Sequence, residues 1–433
     1  MRIGRMLACA LLAAAAVCGA AVLGARLQKE PAVRGMEFSG ERDIVRARFD
    51  HDAGLRTLRG TQEMTITNRT ESAVQEIVLR LPMNAQDESA VAVSNVQVDG
   101  EKAPYALDED DPTVLRVARS FSPGETLELS FTLMLRYPRT AGTAVVTLPQ
   151  LAMLEDGAWR DDAYDELVDV SYAQAFDCAV WLEDALKLCR EGVRDASFPI
   201  RCGGRTRTKT TGGVTVCVYV RPGGRASLVH SCVKDALASL EAIGLAYPYD
   251  ELTVVDTETA RADGAVYSGL IALNADADRE TLRRRLTRLI ARETFGIRIE
   301  NDPWNAPWLS ETLASGAELL AYRKLKGTAA YEERLYGEIE LSTRLTRPYG
   351  VTVGAGTAHF GGDAEMTQVL RDQGAAMLLG MEQAMGEETF LAALQAYIVK
   401  TAGGVAAQED LAAALREASG SSWDGYLTDG LTF

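Results

Sequence analysis

The sequence predicts an α+β multidomain protein in which an antiparallel β domain precedes a mainly helical domain with a small sheet. The chain has 433 residues, a length that suits two or three domains of roughly 100–200 residues. Apolar residues alternate with a period of two in the first half and recur at helical spacing after residue 224. The apolar share of 47% and the charged share of 24% are typical of soluble globular proteins. Disordered, collagen-like and multi-span membrane classes are therefore disfavoured.

The β domain is predicted at about residues 37–224. Its first β-rich runs are residues 61–67 and 77–81, which a polar stretch separates. Asp99-Gly100 follows another such run and is a pair typical of a tight hairpin turn. Residues 127–135 alternate between apolar and mostly polar side chains, which indicates a strand with one face in the core.

The helical domain is predicted at about residues 225–433. Pro222-Gly223-Gly224 marks the boundary, and apolar residues then recur at helical spacing from Val229 to Leu240. Residues 252–255 indicate a short buried strand. Further helices are predicted at residues 281–294, 310–325, 368–385, 387–399 and 409–418.

Residues 1–36 predict a signal or membrane anchor and a linker. Residues 6–24 form an almost unbroken apolar run behind Arg2 and Arg5, about as long as a bilayer is thick. The run exceeds the roughly 7–15 residues of a cleaved signal core, which favours an uncleaved anchor at the cell membrane with the protein body outside the cytoplasm. The alternative is a secreted protein whose signal is removed. A formal charge of −16 disfavours nucleic acid as a partner.

The cysteines beyond the apolar run include no C-x-x-C pair, which disfavours a zinc ribbon or a redox motif. They are Cys178, Cys189, Cys202, Cys217 and Cys232. The first two flank a predicted hairpin turn near residues 183–185, and the next two flank another near Lys209, so cross-strand disulfides are one interpretation. The other, which we favour, is that these are small buried thiols.

In the helical domain, residues 291–296 read ARETFG and residues 304–315 read WNAPWLSETLAS. These two stretches resemble the active-site region of the M1-family (aminopeptidase N-like) zinc peptidases. The family carries H-E-x-x-H, then F-G, and then W-N-x-x-W-L-N-E-x-x-A-S. The resemblance implies a gluzincin metallopeptidase fold, and in the active family members a zinc cofactor.

Aligned on these stretches without a gap, the family motif assigns a role to four positions. The resemblance implies histidine ligands at 288 and 292, the general base at 289 and the third ligand, a glutamate, at 311. This chain has Arg288, Leu289 and Arg292 at the first three positions and keeps only Glu311.

Two further stretches resemble other parts of the family's machinery. Residues 263–270 are similar to G-G-M-E-Y-P-G-L, whose Glu holds the substrate's amine; Val266 stands at that position. Residues 370–378 are similar to V-Y-x-K-G-A-x-M-L, whose Tyr stabilises the oxyanion; Arg371 stands at that position. All these positions are therefore predicted to be vestigial.

The likeness extends into the β domain at residues 58–68 and 79–85, and to residues 244–249 at the start of the helical domain. It covers the chain from about residue 37 onward, although residues 185–225 match poorly. It implies that the β domain is a sandwich or saddle and that the helical domain is thermolysin-like.

The chemistry of the substituted residues argues against a metal site. Side chains four apart share one helix face, but a guanidinium stays protonated and has no lone pair for a metal. Leu289 cannot take a proton from an attacking water. We therefore predict no active catalytic residue, no metal and no cofactor, and we expect Arg288 or Arg292 to pair with Glu311. The alternative is that both arginines point to solvent.

The sequence thus predicts a catalytically inactive M1 peptidase-like protein, a pseudoenzyme, that binds a peptide or protein partner outside the membrane. One alternative is a residual zinc-dependent aminopeptidase, and another is an accessory subunit of a membrane complex. Trp304 and Trp308 are interpreted as core residues rather than as the lining of a substrate groove. His359 is interpreted as a loop histidine without a catalytic role.

Overall fold

The computed structural model describes residues 38, 41–155, 157–160, 174–258, 264–340 and 350–432. The predicted anchor at residues 6–24 lies outside the described residues. Within the described ranges, none of the helices has the length and apolar character needed to cross a bilayer.

The first half of the chain is built from short and medium-length strands. In chain order they are β1 Asp43–Asp52, β2 Thr57–Thr67, β3 Ile77–Arg80, β4 Val91–Val98, β5 Glu101–Lys102, β6 Tyr105–Leu107, β7 Val114–Val117, β8 Thr126–Arg136, β9 Thr143–Thr147, β10 Gln150–Leu151, β11 Met153–Glu155, β12 Ala158–Arg160, β13 Phe176–Leu182, β14 Ala185–Val193 and β15 Ser197–Arg201.

Among the described residues, a seven-stranded sheet with the order β14-β13-β1-β2-β8-β4-β5 forms the main layer of the β domain. A four-stranded sheet with the order β10-β3-β7-β6 lies in the same domain. Most neighbouring strands are antiparallel, but β1 and β13 are parallel. The predicted alternation along β8 is confirmed, since Leu127, Leu129, Phe131, Leu133 and Leu135 are at most 2% exposed.

Two predicted hairpin turns are confirmed by residues in the left-handed region. Asp99 and Gly100 join β4 to β5 with φ angles of 53° and 80°, and Glu183 and Asp184 join β13 to β14 with φ angles of 50° and 64°. The prediction of a turn near Lys209 is wrong. Lys209 pairs with Val216 within a ladder, and the chain turns at residues 212–213, where two glycines adopt φ angles of 57° and 84°.

The cysteines beyond the predicted anchor are free thiols, so the disulfide interpretation is wrong. Cys178 faces Arg190 across the β13–β14 ladder and Cys189 faces Ala179, so their side chains lie on opposite faces of the sheet. Cys178 is buried and Cys189 is exposed. The thiols are thus not uniformly buried.

The second sheet combines strands from both sides of residue 224. Its strands are β16 Arg205–Thr211, β17 Val214–Val220, β18 Glu251–Asp256, β19 Ala265–Tyr267 and β20 Leu270–Leu273, in the order β16-β17-β18-β20-β19. The alternate valines of β17 belong to the core of the helical half. The predicted boundary near residue 224 stays a prediction. The β16–β17 hairpin lies before this residue and pairs through β17 with β18, which lies after it. β21 Glu300–Asn301 and β22 Val405–Ala406 form a short parallel pair.

Helices pack on this sheet and continue to the end of the described chain. They are α1 Ala226–Glu241, α2 Arg279–Arg292, α3 Trp308–Lys326, α4 Thr328–Arg334, α5 Asp363–Met366, α6 Gly374–Met385, α7 Glu387–Thr401, α8 Gln408–Ser419 and α9 Asp424–Thr432. Among the residues that the structure describes, three π-helical segments adjoin them, at Glu293–Arg298, Leu335–Glu340 and Thr367–Gln373. The predicted helices are present, but two of the predicted spans are each divided between an α-helix and a π-helical segment.

Candidate functional site

Helix α2 carries the first two arginines of the candidate site. Asp278 caps the helix, since its carboxylate accepts the backbone N–H groups of Glu280 and Thr281. Arg288 and Arg292, one turn apart, lie on one face and are 8% and 6% exposed. Both guanidiniums are therefore held inside the protein rather than in solvent, and the alternative of two solvent-facing arginines is wrong.

Helix α3 brings Glu311 opposite them. The turn before this helix is fixed by Asp302, whose Oδ1 accepts the backbone N–H groups of Trp304 and Asn305 at 2.9 and 3.0 Å. Glu311 lies in the first turn of α3 and is 2% exposed. The positive end of the helix dipole favours a carboxylate at this position.

A third arginine comes from the π-helical segment Thr367–Gln373. The Thr312 hydroxyl donates to the carbonyl oxygen of Leu370 at 2.6 Å and so fixes this segment against α3. Gly374 allows the close approach, since a Cβ there would lie 2.3 Å from Thr312 Oγ1. The segment thereby presents Arg371 to Glu311, with Nε 2.7 Å from Oε2.

Three guanidiniums therefore surround one buried carboxylate, a group that we call the arginine cluster: Arg288, Arg292, Arg371 and Glu311. The predicted pairing is confirmed, since Arg292 Nε lies 2.9 Å from Glu311 Oε1 and Arg288 Nη1 lies 3.6 Å from Oε2. Burial by itself raises the pKa of Glu311, but Arg292, Arg371 and Arg288 outweigh it and hold the pKa well below its usual range. Glu311 is thus ionised at neutral pH.

Leu289 and Val266 occupy the other two substituted positions, and both belong to the hydrophobic core. Leu289 is 0% exposed and Val266 is 1% exposed. The Leu289 side chain lies against Gly264 at the start of β19, where an added Cβ would come within 2.9 Å of it. Neither position offers an ionisable group to a ligand.

The arginine cluster does not fit a zinc ion. A guanidinium offers only N–H donors and cannot ligate a metal, and its positive charge opposes a cation beside it. Glu311, the one family ligand retained, already contacts three guanidiniums. Elsewhere in the described ranges, no group of three or more His, Cys, Asp or Glu side chains is arranged to hold a metal ion.

The remaining sequence candidates lie apart from any common site. His51 in β1 contacts the Tyr137 hydroxyl at 2.7 Å, and His230 is buried in α1. His359 is exposed in a short 3₁₀ turn. Trp308 is 2% exposed and packs in the helical core as predicted, whereas Trp304 is only half-buried.

Sequence reasoning missed a buried carboxyl group that directly follows Arg292 in the chain. Glu293 begins the π-helical segment after α2, is 0% exposed, and accepts the Gly269 N–H at 2.7 Å. Burial raises its pKa to about 8, although hydrogen bonds from Gly269 and Tyr247 and the charge of Arg190 oppose that shift. The only sequence signal was a charged residue inside an otherwise apolar helical face.

Comparison with known proteins agrees with this description of the fold. Residues 265–427 match the model of the peptidase family M1 domain. The M1 zinc metallopeptidase from Deinococcus radiodurans has a TM-score of 0.62 and 18% sequence identity, and the match covers 90% of this chain and 92% of that one.

Two ligand-bound structures of mutant enzymes are similar to the same extent. A two-domain M1 zinc metallopeptidase mutant bound to L-tryptophan has a TM-score of 0.64 at 18% identity, with 91% of this chain and 95% of that chain covered. A mutant of the Deinococcus radiodurans enzyme bound to a Tyr-Ser-Ala substrate has a TM-score of 0.63 at 18% identity, with 90% and 94% covered. No curated protein sequence matches the chain. Residues 265–427 are therefore similar in sequence to the M1 peptidase domain, and the chain as a whole has the two-domain fold of the M1 zinc metallopeptidases.

Proposed function

We propose that this protein is a catalytically inactive M1 peptidase-like protein that binds a peptide or protein partner, and that residues 6–24 anchor it at the cell membrane with its body outside the cytoplasm. The observation that carries the proposal is the arginine cluster. Three guanidiniums lie within 3.6 Å of Glu311 and pair with its carboxylate, the group that is a metal ligand in the family motif.

The other substitutions support the loss of hydrolysis. Peptide hydrolysis needs a group that takes a proton from water, and a free water has a pKa near 15.7 unless a metal lowers it. Leu289 and Val266 are apolar core residues at the positions of the family's general base and amine-binding carboxylate. Arg371 stands at the position of its tyrosine and is engaged with Glu311. Every separate contribution to the reaction is therefore replaced.

A binding role is supported by what remains. The fold is kept over most of the chain, and the relatives that share it have been seen with L-tryptophan, with L-arginine and with a Tyr-Ser-Ala substrate. Those complexes were formed by mutant enzymes, and they support occupation of this fold by amino acids and by a short peptide. We propose that the present chain keeps binding without chemistry.

Metal analysis and a peptidase assay on the same preparation test the inactivity. The chain is purified in buffers free of chelator, and the Deinococcus radiodurans enzyme is carried through the same steps as the positive control. We expect zinc far below stoichiometric in this chain, and no turnover of aminoacyl reporters or of a broad peptide library. Stoichiometric zinc together with turnover that a chelator abolishes would establish the residual aminopeptidase instead.

Affinity purification from membranes tests the partner. Trp304 is half-buried in the turn that leads into α3, so Trp304→Ala alters the surface at the start of this helix. We expect this variant to lose the partner that the unmodified chain retains. A membrane partner retained equally by both chains would favour the accessory-subunit alternative, in which another surface or the anchor makes the contact.

A further inference from the structure

A cavity of about 180 Å³ lies beside the arginine cluster, between α2, α3, α4 and the π-helical segment that carries Arg371. Ser315, Leu319, Ile339 and Thr367 contribute to its wall. Its charged lining residues are Arg284, Arg285, Arg288, Arg334, Arg371, Glu318 and Asp372. We call this space the arginine-lined cavity.

The described residues that line the cavity carry a surplus of positive charge. Five arginines face one glutamate and one aspartate. Arg334 uses both terminal nitrogens on Glu318, at 2.7 Å each. The described lining residues thus carry a net charge of +3. Arg284, Arg288 and Arg371 also contact two carboxylates outside the lining, Glu280 and Glu311.

The arginine cluster adjoins the cavity, and its two members outside the lining, Arg292 and Glu311, are of opposite charge and leave the net charge unchanged. Arg288 and Arg371 belong both to the cluster and to the cavity lining. In the cluster, three guanidiniums face a single carboxylate, and all four side chains are at most 11% exposed. Because low-dielectric surroundings screen charge weakly, the positive potential extends into the cavity.

The guanidiniums are also held in place by aromatic contacts. The Tyr322 ring lies 4.9 Å from the guanidinium carbon of Arg334 and 5.7 Å from that of Arg284. Such contacts restrict the rotation of long side chains. A ligand therefore meets an array that is already oriented, which lowers the entropic cost of binding.

We propose that the arginine-lined cavity binds an oxyanion, the carboxylate or phosphate group of a ligand. Planar guanidinium forks match both groups with paired, charge-assisted hydrogen bonds. Arg284, Arg285 and Arg288, on adjoining turns of α2, form one wall, and Arg334 and Arg371 form the facing walls. This proposal rests on the proposed function, since the ligand is bound and not hydrolysed. The oxyanion is the group by which the protein would recognise that ligand.

Calorimetric titration of the full chain with inorganic phosphate, and separately with succinate, tests the proposal. Ionic strength is kept constant with sodium chloride, so that general screening does not change between injections. We expect saturable binding of at least one of the two anions. Tighter phosphate binding would identify a phosphorylated ligand, and tighter succinate binding would identify an acidic peptide or another carboxylate.

Substitutions on one helix locate the binding. The variant Arg284→Gln/Arg285→Gln removes two lining charges and is expected to weaken the anion by about tenfold or more, since hydrogen bonds to charged groups are strong. Arg284→Lys/Arg285→Lys keeps the charge but lacks the paired N–H donors of a guanidinium. Its anion affinity is expected to lie between those of the unmodified chain and the double glutamine variant. The matched control is Arg279→Gln, which removes a charge from the same helix at a side chain that is 56% exposed.

The proposal is overturned if neither anion binds saturably to the folded chain, or if the control weakens binding as much as the double glutamine variant. Circular dichroism of each variant verifies that it is folded. If the double glutamine variant does not fold, the double lysine variant is compared with the control instead. The titrations are done after dialysis against chelator. The two tests are therefore independent. Zinc-dependent turnover would refute the proposed inactivity without changing the anion titration, and a failed titration would not change the result of the peptidase assay.

Discussion

Replacing Glu311 by glutamine tests the electrostatic reasoning about the arginine cluster most directly. Glu311→Gln keeps the size of the side chain but removes the one negative charge that three guanidiniums contact at 2.7 to 3.6 Å. The guanidiniums then face one another in a site where Glu311 and Arg292 are 2% and 6% exposed. We expect the free energy of unfolding to fall.

The size of the loss follows from two opposing terms. Unit charges about 4 Å apart interact by about 4 kcal/mol at an effective dielectric constant near 20, and three such attractions are lost. The variant is spared the desolvation of a carboxylate, which is several kcal/mol. Removing one partner of a buried pair costs about 3–5 kcal/mol in net terms, which is a large part of the roughly 5–15 kcal/mol that stabilises a domain.

Urea unfolding at pH 7 measures the effect. The matched control is Glu417→Gln, whose carboxylate pairs with Lys400 at a position where both side chains are more than half exposed (64% and 52%), and for which we expect no measurable loss. The Glu311 pKa is lowered in the folded state, so its contribution is present above the ordinary glutamate range and is lost only as the pH falls below it. A loss under about 1 kcal/mol at pH 7 for Glu311→Gln would refute the reasoning.

Three further substitutions or measurements have definite expected outcomes. Burial raises the pKa of Glu293 to about 8 in the folded chain, so the free energy of unfolding is highest below the unfolded pKa and falls as the pH rises toward 8. Glu293→Gln should remove this pH-dependent loss of roughly 3–6 kcal/mol, measured by unfolding titrations between pH 5 and 9. Alkylation without prior reduction should label Cys189 in the folded chain and Cys178, whose pKa burial raises to about 12, only after unfolding; mass spectrometry showing a disulfide would contradict this. Gly60→Ala should destabilise by about 1–3 kcal/mol or more in urea, because a Cβ there would lie 1.7 Å from a carbonyl oxygen of β1, whereas Gly337→Ala, with nothing within 4 Å, should be neutral or slightly stabilising.

The sequence predicted best where local chemistry decides the structure. Alternation along residues 127–135 became a strand with one buried face, and Asp99-Gly100 became a turn with both φ angles positive. The same chemistry was misjudged at the next hairpin, where Gly212-Gly213 supplies the left-handed conformations and Lys209 does not. A turn requires residues that tolerate positive φ, so the glycines were the better signal.

The pairing of Glu311 with α2 was predictable because the family frame already placed these positions on facing helices. The participation of Arg371 was not. Its distance from Glu311 depends on a π-helical segment and on the close contact of Gly374 with Thr312, and both are products of tertiary packing. A short π-helical segment has no regular spacing of apolar residues from which it could be predicted.

The substitution of arginine for a metal ligand separates two properties that a metal site combines. A buried carboxylate such as Glu311 needs positive charge near it, and either a divalent ion or guanidiniums can provide that charge. Only the ion also offers an open coordination position to water, whereas a guanidinium offers donors that suit oxyanions. Because Arg288 and Arg371 reach both Glu311 and the arginine-lined cavity, the residues that stabilise the folded frame are those that would select an anionic ligand. Stability and ligand preference should therefore change together when either arginine is replaced.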